Sequence, residues 1–149
     1  MPCESKMPAA LVNAGLHGAP KTIIVWVCVD ELFRSDGSTT YIADVRDVPE
    51  VRKLGPMINR LRVHHQTENG TSDFRVQVSC AWSMTGLIWA SPTVVYAGQA
   101  GNGQWIGTWT NTDTFLGLNL RFSVDVSNVA QNPPVSGRVT IALEIELKS

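Results

Sequence analysis

A chain of 149 residues, 44% of them apolar, suits one domain with an ordinary core, burying roughly 70% of the surface its unfolded form exposes. Charged residues make up 17%, below the ~25% usual in soluble domains, and the net charge of −1 argues against a dedicated electrostatic binder of nucleic acid. The sequence contains no run of ~18 apolar residues, which excludes a transmembrane helix.

Residues 1–21 show no strand alternation and are broken by Pro2, Pro8, Gly15, Gly18 and Pro20. They read as an extended N-terminal arm before a single domain over 22–149, with a helical turn at Ala9–Asn13 as the one local element. An arm without a periodic apolar face is expected to lie across a neighbouring subunit rather than on its own core. Met1–Lys6 lacks the hydrophobic stretch of a secretory signal. Cys3, Cys28 and Cys80 match neither a metal spacing nor a disulfide framework and point to a reducing compartment at synthesis. Cys28 and Cys80 fall in apolar runs and read as small buried hydrophobes.

The first predicted strand, Thr22–Asp30, is a nearly unbroken apolar run, the pattern of a strand covered on both faces. Asp36-Gly37 signals a turn and Thr40–Val45 a returning strand. One helical turn over Val48–Leu54 is bounded by Pro49 and Pro56. Asn69-Gly70 is the preferred pair for a two-residue hairpin loop. A hairpin centred there sets Val63 against Val76 and Leu61 against Val78 on an apolar face, with Arg62 against Gln77 and His64 against Arg75 on the other. Pro92–Ala97 is a further short strand. Residues 98–113, rich in Gly, Asn, Thr and Trp, read as an irregular connection. Phe115–Ser127 puts Leu116, Leu118, Leu120, Phe122, Val124 and Val126 on one face. The closing strand, Gly137–Lys148, turns Val139, Ile141, Leu143, Ile145 and Leu147 inward. Seven to eight strands without an alternating helical pattern predict an all-β chain, an antiparallel β-sandwich that is jelly-roll-like.

No constellation for catalysis stands out. His64 and His65 are adjacent on a strand, so their side chains point to opposite faces and cannot share an ion; no metal site and no cofactor are expected. Glu144 and Glu146 lie two apart on one strand face, ~7 Å between them, but alternating acids on a terminal strand are read as a solvated or salt-bridged face. Gly98–Gly103 lacks the Lys-Ser/Thr and the helix that a phosphate loop requires. The sequence therefore predicts a non-enzymatic protein.

Two surfaces remain as candidates. Arg60, Arg62, His64 and Arg75 form a basic strip on the polar side of the expected hairpin, suited to phosphates or acidic neighbours; internal pairing with Glu144, Glu146 or Asp125 is the stronger reading. Trp89, Trp105 and Trp109 fall in irregular segments and are candidates for a contact surface, because tryptophan offers large area with a polar handle. A β-sandwich with an arm, low charge and loop tryptophans suits a structural self-assembling protein of the virion or cytoplasm, such as a viral or phage capsid or capsid-decoration subunit. The partners expected are further copies of the chain or other capsid subunits. The alternative is a carbohydrate-binding β-sandwich module using residues 98–113. Nucleic acid has only the basic strip in its favour, and no membrane partner is expected.

Overall fold

The computed structural model describes residues 10–13, 22–35, 41–45, 55–98, 101–111, 115–116, 119–129 and 134–148. Among them nine strands form two antiparallel sheets: β1 Ala10–Asn13, β2 Thr22–Ser35, β3 Tyr41–Val45, β4 Ile58–Glu68, β5 Phe74–Ser83, β6 Thr93–Ala97, β7 Gly103–Thr110, β8 Asn119–Asn128 and β9 Val135–Leu147. The first sheet runs β1-β2-β9-β4-β7 and the second β3-β8-β5-β6. From β2 onward every step along the chain crosses between the sheets except β5 to β6, which pair within the second sheet. This order is jelly-roll-like, and the antiparallel sandwich read from the alternation is the fold observed.

The alternation decides which side chains enter the core. In β9, Val139, Ile141, Leu143, Ile145 and Leu147 are buried, as the sequence predicts, and in β8 Leu120, Phe122, Val124 and Val126 meet them from the opposite layer. Phe33, Phe74 and Phe115 complete the large buried set. The predicted strand from Phe115 begins later, at Asn119, with Phe115 buried outside it and Leu116 exposed.

The predicted hairpin is a correction. Asn69-Gly70 joins two layers rather than two neighbours: β4 pairs with β9 and β7, whereas β5 pairs with β8 and β6. Val63 and Val76 are both buried, but they belong to opposite sheets of the sandwich. Matched apolar faces can be satisfied by stacking two strands as well as by pairing them, so the pattern fixed the inward sides and not the partners. A type I′ loop needs positive φ at both central residues. Asn69 has φ 59°, but Gly70 does not enter that region, and its N–H instead donates to Asn102 Oδ1 at 2.6 Å.

Three smaller expectations also change. Ala10–Asn13 is a strand on β2 of its own chain, not a helical turn. The rest of the arm, and the turn expected at Val48–Leu54, lie outside the described residues. Thr22–Asp30 extends to Ser35 and is fully covered on one face only: Val25 and Val27 are buried, while Ile24 and Trp26 are half-buried on the outer side. The strand carries a bulge at Asp30, φ 50°, whose N–H donates to Thr140 Oγ1 at 3.0 Å and whose carbonyl accepts from Arg138 at 3.1 Å. Cys28 is buried but disulfide-bonded, against the sequence reading; Cys80 carries a free, buried thiol whose pKa burial raises.

Candidate binding surfaces

β4 lies inside the first sheet and has two unlike faces. Arg60, Arg62 and His64 point outward, while Leu61, Val63 and His65 point into the core. The outer face is neutralised from β9. Arg60 pairs with Glu146 at 2.5 Å and Arg62 with Glu144 at 3.0 Å, each pair directly opposite in the ladder. Asn59 also donates to Glu146 at 2.8 Å, and this bond, with the two arginines, holds the Glu146 carboxyl below the usual range. Arg75 lies on β5 in the other sheet and does not join Arg60, Arg62 and His64. The expected strip of four is therefore a set of three plus one, with two of its arginines engaged internally.

The tryptophans also separate. Residues 103–110, expected to be irregular, form edge strand β7, in which Trp105, Gly107 and Trp109 face inward and Gln104, Ile106 and Thr108 outward. Trp105 lies against the His65 ring, centroids 5.0 Å apart, and Trp109 against Phe115 at 4.8 Å. Gly107 sits between them because Tyr96 from β6 occupies the space its side chain would need: a Cβ there would lie 2.5 Å from the Tyr96 ring. Tyr96 Oη is 2.8 Å from His65 Nδ1, and Thr67 Oγ1 is 2.5 Å from Nε2, so both ring nitrogens are satisfied. Burial lowers the His65 pKa from 6.5 to about 4, which leaves the ring neutral near pH 7. Trp89 is half-buried, with the Arg121 guanidinium 5.6 Å from its ring.

Trp89 belongs to the segment that, among the described residues, exposes the most large apolar side chains. Between β5 and β6, Met84, Leu87 and Ile88 are 66%, 86% and 80% exposed. The backbone beneath them is held in place. Ser83 Oγ accepts from the N–H groups of Thr85 and Gly86 and donates to the Ile88 carbonyl. Thr85 Oγ1 accepts from Leu87 N, and Asn119 Nδ2 donates to the Ser83 carbonyl. Ala90 N closes the loop on the Trp82 carbonyl at 2.9 Å. Leu87 and Ile88 are adjacent and belong to no alternating run, so the sequence carries no signal of their exposure.

A second feature lies on the outer face of the first sheet. A groove of about 470 Å³ opens over β2, β9, β4 and β7. Its central row follows the ladder: Trp26 opposite Ala142, Ala142 opposite His64, His64 opposite Ile106. Trp26 was hidden in the sequence by the unbroken apolar run; the outward alternation of Ile24 and Trp26 was the available signal.

No protein-family model and no curated protein matches the chain. The two-sheet arrangement has counterparts among solved structures. It is similar to the VP2 subviral particle of infectious bursal disease virus, with a TM-score of 0.58 at 9% identity over 95% of this chain and 38% of that one. VP2 in the Gt strain of the same virus gives 0.56 at 11% identity over 95% and 36%. A carbohydrate-binding module of the β-sandwich superfamily superposes more loosely, at 0.44 with 10% identity over 88% and 50%. The likeness to VP2 is one of fold, and the chain spans little more than a third of the VP2 length.

Proposed function

We propose that the chain is a structural, self-assembling subunit, such as a viral or phage capsid or capsid-decoration subunit, and not an enzyme. The observation that carries this reading is the loop between β5 and β6, where Met84, Leu87 and Ile88 stand in solvent on a hydrogen-bonded backbone. Large apolar side chains on a preordered loop favour a partner, because covering them removes apolar area from water while little backbone entropy remains to be lost. The jelly-roll-like order and the fold-level likeness to VP2 support the same reading. The partners are further copies of this chain or other capsid subunits, and the location follows as the virion. Nucleic acid is left out, since Arg60 and Arg62 are paired within the chain.

Sedimentation analysis of the purified chain, with negative-stain images of the same sample, tests the proposal. Discrete oligomers or closed particles are expected. A monomer at all concentrations, with or without candidate shell partners, contradicts it. A carbohydrate-binding module is the second reading. Its support moves away from residues 98–113, whose two indoles turn inward, to the groove over Trp26.

A further inference from the structure

We infer that the groove on the outer face of the first sheet is a binding site for a neutral saccharide. It deepens the second reading above and rests on it, naming the ligand as uncharged, and it holds whether or not the chain forms particles.

The shape follows from one small residue. Ala142, only 8% exposed, lies between Trp26 on β2 and His64 on β4, and its methyl group leaves a depression between two rings. Ile106 on edge strand β7 closes the row on the far side. Four adjacent strands set the row's width at ~14 Å, given ~4.8 Å between strands. A volume of about 470 Å³ falls in the range of small-molecule sites, ~300–1,000 Å³.

The chemistry selects the ligand class. Trp26 and Ile24 supply an apolar platform at one end. The flanking row is Thr140, Gln66 and Gln104, neutral groups: Gln66 already donates to Glu68 at 2.8 Å and Thr140 accepts from the Asp30 N–H, which leaves the Gln66 carbonyl and the Thr140 hydroxyl hydrogen, with the Gln104 amide, for a ligand. The one acid at the rim, Glu144, has its charge answered by Arg62 at 3.0 Å. A groove with an indole platform, a hydroxyl, two amides and an imidazole, and no unanswered charge among the described residues that line it, suits an uncharged ligand with apolar C–H faces and a rim of hydroxyls. A pyranose ring meets that description: its C–H face lies on the indole while its hydroxyls reach the amides. A phosphate or an acidic sugar would find Glu144 at the rim and the nearest guanidinium already engaged.

The test is a calorimetric titration of the full chain with neutral hexasaccharides of glucose, galactose, mannose and xylose, at low and high salt. Saturable binding of at least one is expected, unchanged by salt. Trp26→Ala and Ala142→Phe, which remove the platform and fill the depression, should each weaken binding at least tenfold. Trp89→Ala, in the loop between β5 and β6 of the other sheet, should leave it unchanged. Absence of binding to all four, or equal binding by the Trp26→Ala protein, overturns the inference. So does a fall in native mass caused by Ala142→Phe without any saccharide binding, since the groove would then be covered by another copy.

Discussion

Two segments of this chain look alike in sequence and end differently. Residues 84–92 and 103–110 are both short, Gly-containing and tryptophan-bearing, and neither shows an uninterrupted apolar face. In the structure the second is an edge strand whose Trp105 and Trp109 rest on the core, and the first is a loop that leaves Leu87 and Ile88 in solvent. What separates them is the partner opposite. Strand β7 has β4 beside it and Tyr96 above Gly107, so its alternation acquires an inside. The 84–92 loop is tied down by Ser83, Thr85 and Asn119, all polar contacts to backbone, and these fix its path without covering its apolar side chains. Tryptophan content alone does not mark a contact surface. An ordered backbone under uncovered aliphatic groups is the better sign.

Substitutions in β7 and its neighbours test the inside that this strand acquires. Trp105→Ala should lower stability by about 3 kcal/mol, since removing a large ring from the core margin strands His65 and opens space. Denaturant melts would show this with native mass unchanged; a loss of mass without a loss of stability would return Trp105 to the contact surface. Acid should act on the same seam. His65 is neutral in the fold, with a pKa of about 4, and titrates near 6.5 when unfolded, so the unfolded state binds the extra proton first. Its contribution is complete above pH 6.5 and is lost as the pH falls toward 4, by about 3 kcal/mol in all. Melts of the wild type and His65→Gln across that window should converge as pH falls; parallel curves would contradict the assignment. Gly107→Ala should cost about 2 kcal/mol, because its Cβ would press on the buried Tyr96 ring.

Much of the architecture was legible because period-two alternation survives in β8 and β9, where Leu120–Val126 and Val139–Leu147 name their inward sides. Strand partnership was not legible. Val63 and Val76 carry the same signal whether paired or stacked, and the Asn69-Gly70 turn favours a hairpin only if both residues take positive φ. The internal pairing of Arg60 and Arg62 was the stronger reading from sequence, and the ladder register between β4 and β9 realises it. The groove could not be read, because Trp26, Ala142, His64 and Ile106 come from four strands far apart in sequence, and only the sheet order aligns them.

The smallest expected effect on stability falls on the segment that matters most for assembly. Replacing Leu87 and Ile88 with serine removes no buried contact, so the melting temperature should stay within the change that about 0.5 kcal/mol produces. The decisive measurement is the native mass of this double variant beside the wild type, by analytical ultracentrifugation over a range of concentrations. The proposed function predicts that the wild type assembles and the variant sediments as a folded monomer or much smaller species. If both sediment alike, whether as monomers or as the same assembly, the loop is not the contact surface and the observation carrying the proposal falls.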